Sequence, residues 1–297
     1  MSGDGILEPV RFNGWPELKE AFLSKHLQAT FILAPMAMVL REQGTPIKIV
    51  YLGHRDGTTM MVDKKSAIHD IRDLRGKTIA IPNRYSNQYL IIYKALRDRN
   101  LRIEDVKLVE AAPPDMPAML YGGDVDAIIA GEPIMAKTEL DGYGRVLFMT
   151  KDVWPEFISC VLAVHEDAIR ERRAEVQRLV DGIAQSGMWL DQDKDRPGGG
   201  RHRLQASEFV SKFYYNQDPK LLRFVLSKPP DRVKYTNLNV RRKDFEEIEK
   251  YAKMAGIFKG KVGFEDYADP SFVPEGRALK PYHWEAPGEK PKRGTRK

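Results

Sequence analysis

Residues able to do chemistry are concentrated at two places where a short apolar run passes directly into a helical pattern. The first is KTIAIPNRYSNQYLIIYKAL, residues 77–96, where a strand predicted to end at Ile81 gives way to a helix beginning near Ser86. Serine is a preferred N-cap, and Asn87 and Gln88 add side-chain donors beside the unpaired N–H groups of the first turn. Such a start favours an anion or a polar oxygen by ~0.3–1 kcal/mol when exposed, and by more when enclosed. A lone serine there ordinarily does no more than cap.

The second place is GGDVDAIIAGEPIMAKTELDGYG, residues 122–144. The run Ala127-Ile128-Ile129-Ala130 reads as a parallel strand covered on both faces. Gly131 lets a partner approach the backbone closely, Glu132 follows it, and Pro133 suits the first turn of a helix over 133–140. Open α/β sheets bind ligands outside such strand ends. Two junctions from one sheet make a ligand site as good a reading as two plain connections. Trp15 before a helix is a packing residue or a wall for a planar ligand, and Arg84 is a surface charge or a carboxylate clamp.

Catalytic patterns are poor. The six histidines (His26, His54, His69, His165, His202 and His283) are scattered and none shows i,i+4 pairing. No Gly-x-Ser-x-Gly elbow, Gly-x-Gly-x-x-Gly fingerprint or phosphate-cradling Gly/Lys loop is present. Asp124/Asp126 and Glu246/Glu247 read as solvated faces. Cys160 is the single cysteine, which excludes a disulfide framework, a Cys-x-x-Cys redox pair and a Cys/His metal cluster. No cofactor is implied and no enzyme is demanded.

The elements that position these residues alternate. Strands are predicted at 10–13, 31–34, 47–52, 58–62, 78–81, 107–110, 126–130, 146–149 and 160–164. Helices are predicted at 16–26, 36–43, 66–74, 87–99, 116–121 and 133–140, then at 174–190, 204–215, 219–225 and 243–255. The βα rhythm of the first half predicts mainly parallel sheets with helices on both faces. With 42% apolar and 30% charged residues the 297-residue chain is ordinary for a globular protein. The net charge of +6 is uneven: residues 286–297, APGEKPKRGTRK, carry +4 of it and are expected to be a basic disordered tail. The rest is nearly neutral and has no basic stripe, so nucleic acid is not an expected partner. No apolar run approaches ~20 residues, and the first residues lack a secretory pattern.

The order of elements and the junction residues resemble a known family. WPELKEAFLSKHLQATFILAPM, DLRGKTIAIP, GDVDAIIAGEP and KPPDRVKYTNL are together similar to the solute-binding proteins of nitrate/sulfonate/taurine-type ABC transporters. The resemblance implies an α/β, two-lobed periplasmic-binding-protein-like type II fold, each lobe a mainly parallel sheet flanked by helices. Crossovers would fall near 76–78 and 157–160. Lobe one would be 1–77 plus 158–285, and lobe two 78–157. It further implies a monomeric, non-catalytic component of an importer that delivers a small organic molecule, anionic ones included, to an ABC permease and its ATPase.

Carried over residue by residue, the resemblance places Trp15, Pro35, Met36, Thr58, Ser86, Gly131 and Ser159 or Cys160 at ligand contacts; Arg84, Asn87, Gln88 and Glu132 join them as neighbours. Thr58 stands where nitrate binders tend to have glutamine, and Ser159/Cys160 where they tend to have lysine. Nitrate is therefore disfavoured. Against the family, the chain opens almost at a second strand, so a first strand and a leader are expected upstream of Met1, and an irregular or vacant position is expected in the lobe-one sheet. With a leader upstream the protein would be periplasmic or membrane-anchored and extracellular. Without one, a cytoplasmic ligand sensor of the same fold is the alternative. A thiamin-pyrimidine-synthase-like enzyme is disfavoured, because the cysteine-rich motif of those enzymes is missing.

Overall fold

Runs of aliphatic and β-branched residues form nine strands among the described residues, and the strands divide between two sheets. The computed structural model describes residues 8–213 and 217–272. In chain order the strands are β1 (Ala29–Leu33), β2 (Ile47–Asp56), β3 (Thr58–Asp63), β4 (Thr78–Ile81), β5 (Lys107–Glu110), β6 (Ala127–Gly131), β7 (Gly144–Met149), β8 (Ile158–His165) and β9 (Val233–Lys234). The first sheet has the order β1-β8-β2-β9 and the second β5-β4-β6-β3-β7.

Helices flank both sheets, as the two-lobed α/β fold requires, but the strand directions depart from expectation in the first. There every pairing between the named strands is antiparallel. The reason is topological: β1 and β2 run toward the junction of the sheets, and β8, returning from the second sheet, enters between them in the opposite sense. Ala29 lies opposite Val164, Leu33 opposite Cys160, and Ile47 opposite His165. In the second sheet β4 runs parallel to β5 and β6, while β3 is antiparallel to β6 and β7.

The first crossing also moves. β3 hydrogen-bonds within the second sheet, so the chain leaves the first sheet at Asp56–Thr58 and not near 76–78. It returns between Met149 and Ile158. No strand forms at 10–13, and the predicted helix over 66–74 shrinks to a 3₁₀ turn, Ile71–Leu74. Asp70 and Asp73 pin that turn by a reciprocal capping box, which holds it short. The first sheet is irregular, with three register shifts along β2–β8. Its β1 is an edge strand on which Phe31 is 41% exposed. The basic tail 286–297 lies outside the described residues.

Alternation along the second-sheet strands sorts the core. Met60, Val62, Ile79, Ile81, Ala127 and Ile129 face one large apolar cluster that continues into the first sheet through Ile32, Val50, Leu52, Val161 and Ala163. Met61, Ala80, Ile128 and Ala130 point the other way, against Met116, Leu120 and Met135. Both faces of β4 and β6 are thus dry, which explains their unbroken apolar runs.

Candidate functional site

The crossing between sheets is held by backbone geometry that few residues tolerate. Asp56 and Gly57 both have positive φ, +57° and +74°. A Cβ on Gly57 would lie 3.1 Å from the His54 ring and from Val233. Three backbone hydrogen bonds gather strand ends here: Asp56 N–H to Phe157 O, Gly57 N–H to Arg232 O, and Glu132 N–H to Gly57 O, each 2.9 Å. The starts of β3 and β8, the end of β6 and the approach to β9 therefore meet in one seam.

The helix Asn87–Arg97 starts against that seam. Ser86 caps it as expected, its Oγ accepting from the Tyr89 N–H at 3.1 Å. Asn87 donates from Nδ2 to the carbonyls of Ile158 (3.3 Å) and Ser159, on the first strand of the return. Gln88 donates from Nε2 to Thr58 Oγ1 at 3.1 Å, and Thr58 lies opposite Gly131 across β3 and β6. Thr58, Ser86, Asn87, Gln88 and Ser159 are all buried. Six of the sequence-predicted residues thus share one polar seam fed by both sheets. The buried atoms in it without a hydrogen-bond partner include Asn87 Oδ1, Gln88 Oε1 and His54 Nδ1, and also the Asp56 carboxylate, which faces Lys234 Nζ at 3.2 Å.

Pro35 and Met36 open the helix Ala34–Glu42 directly after Leu33, whose cross-strand partner is Cys160, so this register brings them to the same strand end. Cys160 also lies opposite His54. A cysteine beside a histidine could make a nucleophile, but here burial pushes the Cys160 thiol up to about 11 and the His54 imidazole down to about 4. Both stay neutral near pH 7, the reverse of an activated thiolate–imidazolium pair.

Glu132 does something other than face a ligand. Its Oε1 accepts from Thr59 Oγ1 (2.7 Å) and Arg232 Nη1 (3.1 Å), and its Oε2 accepts from the Ala136 N–H (2.8 Å). Burial raises the Glu132 carboxyl above the ordinary range, with the Arg232 charge pulling it back. Arg232 also reaches Glu139 Oε2 at 2.8 Å and precedes β9 of the first sheet, so the pair bridges the two lobes. Trp15 is half-buried against the large core at the start of its own helix, Trp15–Leu23. Arg84 is exposed, stacked 6.0 Å from the Tyr89 ring centroid. Neither is tied to the seam by a hydrogen bond.

Arg232, Thr59 and His54 were not expected from sequence. A lone arginine after Pro229-Pro230 carries no local signal, and only the Glu132/Glu139 spacing hints at a demand for positive charge. A second buried arginine, Arg55, donates to Asn237 O and Glu156 O, both 2.7 Å, and to Asp244 Oδ2 at 2.6 Å. The buried arginines near the seam are therefore committed to carboxylates. Among the described residues no group of three or more His, Cys, Asp or Glu could hold a metal ion, and no helix is long and apolar enough to cross a membrane.

Residues 2–198 match the sequence model of the NMT1-like family. The chain belongs to that family. It is 26% identical over 196 residues to the taurine-binding periplasmic protein of Escherichia coli K12, covering 62% of this chain and 60% of that one. It is 23% identical over 220 residues to the nitrate import ATP-binding protein NrtC of Synechocystis, covering 68% of this chain and 32% of NrtC. The chain thus spans about a third to three-fifths of the curated relatives it matches. Among solved structures it resembles the ligand-binding component of an ABC-type import system from Staphylococcus aureus, with TM-score 0.77, 24% identity, and 89% and 85% of the two chains covered. The desulfurization enzyme DSZB shares the fold at TM-score 0.61 and 14% identity, covering 86% of each chain. The family membership and these likenesses support the similarity to nitrate/sulfonate/taurine-type solute-binding proteins.

Proposed function

We propose that this NMT1-like protein is the substrate-binding component of an ABC-type importer, holding a small organic molecule at the seam and passing it to a permease–ATPase partner outside the cytoplasm. One observation carries the reading. The helix start of one lobe meets the strand ends of the other, and buried Asn87 Oδ1 and Gln88 Oε1 are left without donors. An unpaired buried acceptor costs about 1–3 kcal/mol, so a ligand that supplies N–H or O–H groups from between the lobes recovers that amount and favours the closed arrangement. The chemistry that fits is an amine, hydroxyl compound or nitrogen heterocycle. An inorganic anion would find each buried arginine near the seam already paired. A neutral Cys160–His54 pair supports binding over turnover.

The test is a thermal-shift screen of the full chain against nitrate, sulfonates, carboxylates, amines and pyrimidines. At a hundredfold excess over Kd, binding adds about 2.7 kcal/mol, which for a chain of this size is a shift of roughly 5 °C. A donor-bearing organic hit with no nitrate response is the expected result. A shift with nitrate alone, or chemical conversion of the hit, contradicts the proposal.

A further inference from the structure

A groove of about 500 Å³, within the size range of small-molecule sites, is lined by none of the seam residues. Its walls are the far end of the helix Ala34–Glu42, the loop before Ser86, and the turn after the helix Arg242–Met254. Arg84 and Tyr85 enter from the second lobe, and Glu42, Lys259 and Lys261 from the first. Pro35 and Glu42 are separated by seven residues of helix, roughly 10 Å along the axis, so the groove is distinct from the seam.

Its charge is unbalanced. Among the described residues Arg84, Lys259 and Lys261 have no carboxylate within ion-pair distance, and all three border one groove. The single acid on the wall, Glu42, turns both oxygens to the loop backbone, accepting from the Lys259 N–H at 2.9 Å and the Lys261 N–H at 2.8 Å. That fastens the two lysines to the groove while leaving their ammonium groups uncommitted. Val39 and Ile257 supply an apolar strip between the charges, and Tyr85 a 45% exposed ring.

We propose that this groove binds a small organic anion with at least two acid groups, a polycarboxylate or a phosphate ester, its carbon skeleton lying along Val39 and Ile257. Arg84 offers a planar fork and the lysines compact charges, a donor set matched to carboxylate or phosphate oxygens. Because the cations come from both lobes, the anion bridges them and stabilises their approach, in addition to whatever the seam holds.

The experiment is isothermal titration of the full chain with citrate and with inorganic phosphate at ~150 mM salt, where diffuse surface attraction is screened beyond about 8 Å. Saturable one-to-one binding of either probe is expected, weakened at least tenfold in the Lys259→Gln/Lys261→Gln variant and, separately, in Arg84→Gln. The three substituted side chains are exposed, so circular dichroism and the melting temperature should match the parent. Citrate binding without a phosphate response assigns the groove to polycarboxylates, and the converse assigns it to phosphate esters. Absence of saturable heat from both probes at millimolar concentration overturns the proposal, as do variants that titrate like the parent. An amine or heterocycle hit at the seam that persists in the lysine variant separates this result from the fate of the seam reading.

Discussion

Replacing Arg232 by methionine should open the contact between the lobes. The Arg232 and Glu132 side chains are each 1% exposed and 3.1 Å apart, while Glu139, the second partner, is 33% exposed. Methionine fills most of the volume but leaves the Glu132 carboxylate buried without counter-charge. Breaking a buried pair in this way costs about 3–5 kcal/mol. Contact with the half-exposed Glu139 adds no more than ~1 kcal/mol. Because burial already raises the Glu132 carboxyl, the variant can take up a proton there, which limits the loss to the lower part of that range. The loss should be about 3 kcal/mol near pH 7 and should narrow as pH falls, because a neutral Glu132 needs no partner. Urea unfolding followed by tryptophan fluorescence reads this from midpoint and slope. In a cycle with Glu132→Leu, the double variant should lose at least ~2 kcal/mol less than the two single losses added together. A loss under about 1 kcal/mol for Arg232→Met, or additivity within ~0.5 kcal/mol, would refute the bridge.

Gly57→Ala should destabilise by about 1–3 kcal/mol, since alanine at a φ of +74° is strained and its Cβ would press on the His54 ring and Val233; calorimetry showing no change in melting temperature would contradict the tight crossing. Ser86→Ala should cost about 1 kcal/mol through loss of the cap, with Ser86→Thr, which keeps the hydroxyl, costing less in urea titrations. The His54 imidazole, lowered by burial from its ordinary value of 6.5 to about 4, favours the neutral form in the fold. Its contribution is complete above pH 6.5 and is lost as pH falls toward 4, about 3 kcal/mol in all. In His54→Asn that part of the acid slope should disappear, and an unchanged slope would show that another group carries it.

What could be read from sequence depended on how local the cause was. Ala127–Gly131 and Thr78–Ile81 emerged within a residue or so because strands dry on both faces advertise themselves as unbroken apolar runs. Ser86 was legible as a cap because its partner, the Tyr89 N–H, is three residues away. The antiparallel first sheet was not, because it depends on where Ile158–His165 inserts, and its partners Ala29–Leu33 and Ile47–Asp56 lie more than 100 residues earlier. The crossing at Gly57 was hidden for a related reason: Ile47–Asp56 and Thr58–Asp63 are adjacent along the chain, yet each pairs with other strands. Glu132 looked like a ligand contact because its partner Arg232 sits 100 residues downstream in a loop. The family resemblance supplied the two-lobed arrangement that local pattern could not.

Binding between the lobes at Asn87 and Gln88 should be reversible and leave the ligand unaltered. Equilibrium dialysis of the full chain against the best organic hit, with mass spectrometry of the recovered compound, tests it most directly. One molecule should bind per chain and be recovered unchanged, with affinity reduced at least tenfold when Asn87 and Gln88 are both replaced by alanine. Undiminished binding in that variant, or a recovered compound of altered mass, would contradict it.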